Sequence, residues 1–585
     1  MTAAAPRPAA VTERGADAVT HEVITGKLLA MVDEMAIVLA RASMSPVVYE
    51  VLDFACGVCD GRGELVAQTN GITIFTGTFS RQVRFIVERF GTDMAPGDTF
   101  LTNDPFEGGT HACDFAIIRP IFAGGAIIAY GIAVAHLLDV GGAVAGSLPP
   151  DATSVFQEGL RLSGVRLTRA DRLIDDIVRI VVENVRLPQL VLGDINAELA
   201  AVRIAERRIL ETIAKYGSAA LDATFARLIA TSEARARAVI AALPDGDYHA
   251  SDVIDGDGET DAAIPVQVTV RIRGSEIEAD FTGSSPARNA PINCSRGALT
   301  SAVKTVLKAL VAPQEPSNDG WFRPLKVTAP GGTVFTAEKP SPTGWYYEGA
   351  AQASELVWKA LAPLAPHRFS AGTYMSLCAT YLSGSGPEGL FVHIEPQNGG
   401  WGATTLRDGA SGMIAITDGD TYNYSVELLE AKFPVLIRRY DYNVEAGVGA
   451  GKHRGGFGLV REYEIESDGA ILYASYGRTA TRPWGVDGGR EGSLNGIEII
   501  RGGSLRRLTR TPRFPLESGD RVRILTGGGG GWGDPFARDP DAVARDVRDD
   551  LLTVSNAASV YGVVLDAVTH KVELSATLDL RAGKP

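Results

Sequence analysis

Residues 102–142 read TNDPFEGGTHACDFAIIRPIFAGGAIIAYGIAVAHLLDVGG, and their pattern sets the architecture. Phe115 to Phe122 is apolar and rich in β-branched residues, a strand by composition. Ala123-Gly124-Gly125 is a turn, and Ala126 to Ala135 is the returning strand. The stretch also holds two of only eight histidines in the chain. His111 and Asp114 lie three residues apart before and at the start of the first strand. His136 ends the second, with Asp139 three further on. Imidazoles and carboxylates gathered at one end of a hairpin suit a divalent metal. Side chains on a strand alternate with period two, so the loop length decides whether Asp114 and His136 share a face. A three-residue loop sets Phe122 opposite Ala126 and His136 opposite Ala112, with Asp114 diagonal to His136 on the same face. A two-residue loop separates them unless a bulge restores the parity. The expectation is the longer loop or its bulged equivalent, with Gly108 and Gly109 folding the backbone back before the strand.

The rest of the chain bounds the answer. Its 585 residues exceed what one core can organise. Hydrophobic residues make up 45% and charged residues 22%, an ordinary globular balance. Sixty-six glycines predict many strands joined by tight turns. A net charge of −14 argues against a nucleic-acid partner or an anionic membrane surface. No apolar run reaches the ~20 residues that span a bilayer. Five cysteines form an odd, sparse set, which fits a reducing cytoplasm. Cys56 and Cys59 make a lone CxxC, which reads as two small buried thiols in a strand, since a zinc site needs more ligands.

Changes of texture divide the chain into segments. Residues 1–20 form a flexible leader without an apolar core. Residues 21–170 form an α/β domain holding the metal-type hairpin. It opens with a helix from His21 to Ser43, capped by Thr20, and includes a hairpin from Val51 to Gln68 and a helix from Thr78 to Phe90. Residues 171–244 are helical and pack on it, with Pro188 starting one long helix and Gly217 ending it. Residues 245–370 read as an α+β domain, with strands around Gly274-Ser275, a helix from Arg296 to Val311 and a proline-rich loop segment. Residues 371–585 are β-rich with glycine turns and close on a helix from Asp539 to Leu551. The fold class is therefore α+β, multidomain, with mixed and antiparallel sheets and a central helical block. TGGGGGWG (526–533) lacks the Gly-Lys-Ser/Thr that would hold phosphate and magnesium, and reads as a close-packed glycine segment.

Taken together, DFACGVCDGRGELVAQ (53–68), NDPFEGGTHACDFAIIRPIF (103–122), HLLDVGG (136–142), QEGLRL (157–162), LVLGDINAELAA (190–201), SNDGWFRPLKVTAPGG (317–332), RGGFGLVREY (454–463) and RPWGVDGG (482–489) resemble the hydantoinase B/oxoprolinase family. The resemblance implies a hetero-oligomer. An A-type subunit with an actin-like ATPase fold would use ATP and magnesium, and the B-type subunit would carry a divalent metal and open a cyclic amide: a hydantoin, oxoproline or lactam. Related carboxylases act on ketones, which is the alternative. The family's metal ligands fall on Asp53, His111, Asp114 and His136, a mixed nitrogen and oxygen set that leaves zinc, manganese or iron open. Asp104 and Asp139 are then candidate catalytic groups, as acceptors for the ring N–H groups or as a base for water. The chain departs from the family at 69–79 (TNGITIFTGTF), at Leu162-Ser163-Gly164 and at 343–352 (TGWYYEGAAQ). If these border the substrate, Phe75, Trp345, Tyr346 and Tyr347 imply an apolar, aromatic pocket.

Overall fold

The computed structural model describes residues 17–583 apart from residue 388, so the expected leader lies outside it up to residue 16. The first helix, Ala18–Ala42, starts earlier than the apolar stripe suggested. Asp17 rather than Thr20 is its N-cap, accepting a hydrogen bond from the Thr20 N–H at 2.7 Å. An Asp cap competes well for the free N–H groups of a first turn, and Thr20 becomes helical instead. Ile24, Leu28, Met31 and Met35 form the buried stripe.

The central element is an antiparallel sheet of seven strands: β1 (Phe54–Asp60), β2 (Leu65–Gln68), β3 (Thr99–Thr102), β4 (Asp114–Ala123), β5 (Ala126–His136), β6 (Val165–Arg169) and β7 (Arg172–Leu173). Their spatial order is β2-β1-β5-β4-β3-β6-β7, which puts the hairpin β4–β5 at the centre. Both central strands are buried along almost their whole length. The long helix Pro188–Tyr216 packs across them and ends, as expected, at Gly217. The contact is close: a Cβ on Gly131 of β5 would come within 2.8 Å of the Ala205 side chain, so only glycine lets this helix seat.

The hairpin corrects one expectation and keeps its consequence. The turn has two residues, not three. Ala123 pairs with Ala126 across Gly124 and Gly125, both at positive φ, a combination that two glycines adopt without strain. The register then shifts: Phe122 pairs with Ile127, but Ile121 pairs with Ala129. Ile128 is the extra residue of a bulge, and it restores the parity that a two-residue turn would lose. Asp114 consequently pairs directly with His136, not diagonally as the longer loop required.

A second, four-stranded sheet comprises Gly246–Ile254, Ile264–Arg273, Glu276–Asp280 and Leu325–Thr328, with its last pair parallel. Two further antiparallel sheets, of four and five strands, lie in the chain after residue 378. The helix Tyr346–Leu361, in a region expected to be loops and strands, has every residue buried except Lys359. A helix covered on all sides carries no 3.6-residue polarity period, which is why pattern reading passes over it. The helix after Arg538 spans Pro540–Arg548 and is not the last: Val554–Tyr561 and Leu574–Ala582 follow.

The glycine segment is a strand in a bundle of extended chains. Gly527 and Gly530 exchange backbone hydrogen bonds with Gly400, Ala403 and Gly372. Gly528 and Gly531 bond to Ser493, Arg490 and Val486, while Gly529 and Trp532 bond to Gly449, Gly456 and His453. The partner changes with a period of three residues, the repeat of a polyproline-II helix. A Cβ at Gly529 would lie 2.2 Å from the Trp401 carbonyl. The glycines are there for backbone packing, not for phosphate.

Candidate metal centre

The central sheet gathers four site side chains at one end. Asp114 opens β4, His136 closes β5, and Asp53 immediately precedes β1. The His136 N–H donates to the Asp53 carbonyl at 3.0 Å, which ties the first hairpin to the second. His111 comes from the turn before β4, where Gly108 adopts φ +101° and the Gly109 N–H donates to the Asp104 carbonyl at 3.1 Å. The Asp114 N–H in turn donates to the His111 carbonyl at 3.2 Å.

Three potential ligand atoms converge. His111 Nε2 lies 2.9 Å from Asp114 Oδ1 and 3.1 Å from His136 Nδ1, and His136 Nδ1 lies 3.1 Å from Asp114 Oδ1. Ligand atoms at ~2.1 Å from one ion and at right angles to each other sit about 3.0 Å apart. Two imidazoles and one carboxylate on one face are a recurrent arrangement for a metal with open positions. His111 Nδ1 donates to the Gly344 carbonyl at 2.7 Å, which leaves Nε2 as the nitrogen facing the cluster. The second oxygen of Asp114 accepts a hydrogen bond from Thr110. His136 Nε2 is buried and has no hydrogen-bond partner. The facing lone pairs of His111 Nε2, His136 Nδ1 and Asp114 Oδ1 fit a cation between them.

The electrostatics agree. Burial pulls His111 down, but Asp114 and the Gly344 carbonyl outweigh it and the net shift is upward. Burial lowers His136, and Asp114 offsets only part of that. Burial opposes the charge on Asp114, yet the two rings hold its carboxyl well below the usual range. Asp53 is pushed well up, first by burial and then by the carboxylates of Asp418 and Asp114. Asp418 is raised to about 6 by burial and by Asp114, against a hydrogen bond from Thr421. Asp53 and Asp418, crowded beside Asp114, hold a proton more tightly than free carboxylates do; a divalent ion would reverse this.

Asp53, His111, Asp114 and His136 all line one cavity of about 40 Å³, room for on the order of three waters. Its remaining wall is Asp418 and a set of apolar and aromatic side chains, including Phe75, Tyr346, Tyr347 and Tyr381. Phe75, Tyr346 and Tyr347 were expected there. Trp345 instead packs behind the wall, stacked on Tyr381 and donating to the Leu148 carbonyl. Tyr346 presents its edge to the His111 ring, with centroids 5.0 Å apart. Cys113 also lies within 4.8 Å of ring nitrogens of both histidines. Asp114 is the better ligand: burial and the surrounding carboxylates push the Cys113 thiol well up, and its sulfur faces the carbonyls of Gly146 and Ser147. Cys56 and Cys59 are free, buried thiols of β1, as their spacing suggested.

Asp104 and Asp139 are engaged elsewhere, which corrects the roles drawn for them. Asp104 pairs with Arg161 at 3.1 Å and caps the Phe106 N–H. Asp139 binds Arg186 and the N–H groups of Gly141 and Gly146. Neither accepts from a histidine ring; the Gly344 carbonyl has that part for His111. Both carboxylates answer the demands of their turns, where free N–H groups need acceptors. Sequence reasoning missed Asp418, which no local motif marks. It also gave no role to Glu158, although QEGLRL was singled out. Glu158 is buried and accepts from the Thr343 N–H at 2.8 Å and the Gly344 N–H at 2.6 Å, fixing the loop that orients His111. Burial raises it to about 7 against those hydrogen bonds.

A sheet-borne His–Asp–His cluster inside a mixed α+β protein defines the class. The hydantoinase B/oxoprolinase family model matches residues 17–535, and the chain belongs to that family. It is 31% identical, over 97% of its length and 98% of the relative's, to a protein from Pseudomonas sp. (strain NS671) named as the B-type subunit of a D-/L-hydantoinase. It is 29% identical to the beta chain of the caprolactamase of Pseudomonas jessenii, covering 94% of this chain and 96% of that one. The crystal structure of the ATP-dependent caprolactamase from Pseudomonas jessenii superposes with a TM-score of 0.91 at 28% identity, over 97% of this chain and 100% of the matched one. A nucleotide-free acetone carboxylase structure shares the fold, with a TM-score of 0.89 at 20% identity over 96% of this chain and 82% of that one. Among the described residues no helix is long and apolar enough to cross a membrane.

Proposed function

We propose that this chain is the metal-dependent B-type subunit of a heteromeric enzyme that opens a cyclic amide, while a partner A-type subunit with an actin-like ATPase fold uses ATP. The observation that carries this reading is the meeting of His111 Nε2, His136 Nδ1 and Asp114 Oδ1 within 3.1 Å of one another in a cavity lined by buried side chains. The names of the relatives and the absence of a phosphate-binding loop in the one glycine-rich candidate support the division of labour.

His111, Asp114 and His136 would hold the ion, with Asp53 beside them. A bound zinc, manganese or iron ion supplies Lewis acidity, polarising a carbonyl oxygen or lowering the pKa of water toward 7. The chain's own groups do the rest. Gly344 fixes the His111 tautomer, and Thr110 fixes the second oxygen of Asp114. Asp418, which lines the cavity outside the His–Asp–His cluster, would take a proton from water and return it to a leaving nitrogen. Apolar walls keep bulk water out. The aromatic wall suits a ketone equally, so a ketone carboxylase subunit is the second reading.

Co-purification with the partner tests this. ATP turnover should respond to a hydantoin or lactam, and the ring-opened acid should appear. Response only to a ketone with bicarbonate would favour the second reading. His111→Ala should abolish turnover in a soluble chain; retained activity would sink the site.

A further inference from the structure

The charge of the cavity walls bears on which substrate enters. Asp53, Asp114 and Asp418 all line it, and no Lys or Arg is among its lining residues. Three acidic side chains therefore share this space with no Lys or Arg side chain to balance them. The remaining walls are apolar, among them Ile74, Phe75, Leu377 and Ile394, or carry the neutral hydroxyls of Tyr346, Tyr347, Tyr381 and Thr417, so no cationic group is there to pair an anion. Like charges in a closed, low-dielectric space repel strongly, and binding sites reject a ligand whose charge they leave unpaired.

We propose that this site selects an uncharged ring, a lactam, hydantoin or similarly neutral carbonyl compound, and discriminates against rings bearing a free carboxylate. The assignment rests on the cyclic-amide reading and narrows it: of the candidate substrates, oxoproline is the one excluded. Specificity here comes from repulsion, not from an added contact. Asp418 is the specificity-determining side chain, since it faces the cavity but stands outside the His–Asp–His cluster.

Two five-membered lactams that differ by one carboxylate, 2-pyrrolidinone and 5-oxoproline, give the test. Isothermal titration of each into the metal-loaded chain reads binding without the partner. ATP-dependent ring opening by the complex reads kcat/KM. The neutral lactam should bind at least tenfold tighter, and kcat/KM should follow. Asp418→Asn should narrow the binding ratio read by titration at least threefold, by strengthening oxoproline. Equal or tighter binding of 5-oxoproline, binding of neither lactam, or an unchanged ratio in Asp418→Asn would each overturn the proposal. A preference seen in titration with neither ring opened would instead sink the hydrolase reading and leave the preference standing.

Discussion

Asp114→Asn removes one charge and almost no volume, and the geometry gives the size of its effect. Asp114 Oδ1 touches both ring nitrogens of the cluster, at 2.9 and 3.1 Å. A unit charge ~3 Å from a cation is worth about 5.5 kcal/mol per unit of cation charge at an effective dielectric of ~20. Entry of water and relaxation return part of that. A weakening of metal binding by about 100-fold or more, some 2.7 kcal/mol, is therefore a lower bound. At a metal concentration 100 times the parent's Kd, binding stabilises the parent by about 2.7 kcal/mol, and a 100-fold weaker site retains about 0.4 kcal/mol. Chelator-treated chains should be melted with and without zinc, manganese or iron. The parent should show a clear rise in Tm and Asp114→Asn almost none. The metal-free melts should differ by only about 1–3 kcal/mol, the value of hydrogen bonds to a charged group. An Asp114→Asn chain that gains as much from metal as the parent would refute the idea that this carboxylate faces an ion.

Asp104→Asn and Asp139→Asn should keep the metal-induced rise in Tm, because those carboxylates pair with Arg161 and Arg186; Asp139→Asn should lower metal-free stability by about 1–3 kcal/mol, and metal analysis of both variants checks the contrast. Glu158→Ala should leave the fold soluble but weaken metal binding about 10–100-fold, through loss of the Gly344 loop geometry, as a metal titration would read. Glu348, outside the cavity, is raised to about 7 by burial, partly offset by Arg510, from an ordinary value of 4.5. The folded chain therefore holds that proton more tightly than the unfolded one, and this stability is present below pH 4.5 and lost as pH rises through about 7. Melts of Glu348→Gln should depend less on pH between 5 and 8 than the parent's, and an unchanged slope would disprove the shift. Gly529→Ala, with no room for a methyl group beside the Trp401 carbonyl, should unfold the glycine bundle or cost several kcal/mol in denaturant melts, roughly the price of forced overpacking.

Much of this was legible because local rules agreed with the global fold. Apolar, β-branched runs around a glycine turn marked β4 and β5, Pro188 and Gly217 bounded the long helix, and the pattern at Arg296 to Val311 gave its helix to the residue. The hairpin turn was less legible, since Gly124-Gly125 and a bulge give the same facing as a three-residue loop. Parity is visible in sequence; the device that restores it is not. The helix Tyr346–Leu361 was hidden by its own burial. It matters for the site, because it brings Tyr346 and Tyr347 to the cavity while turning Glu348 toward Arg510 and Glu355 toward Arg478.

Asp418 shows where sequence reading must stop. It arrives from a loop just over three hundred residues beyond Asp114, and nothing in AITDGD separates it from any turn-forming Asp. What places it is contact between distant backbones. The Ile74 N–H and the Thr73 hydroxyl both bond to the Thr417 carbonyl, at 3.2 and 3.0 Å. A Cβ on Gly419 would come within 2.5 Å of the Gly71 carbonyl, so these two loops can meet this closely only with glycine there. The strap 71–77 and the loop 417–420 thus form one wall. Ile72, Ile74, Phe75, Thr417 and Asp418 face the metal-type cavity, while Gly71, Thr73, Gly77, Gly419 and Asp420 face a larger space of about 680 Å³. This wall divides the site from the larger space, and the two hydrogen bonds to the Thr417 carbonyl join its two halves. The residue that sets the charge of the cavity and the contact that closes it therefore belong to the same loop, and a substitution that loosens one moves the other.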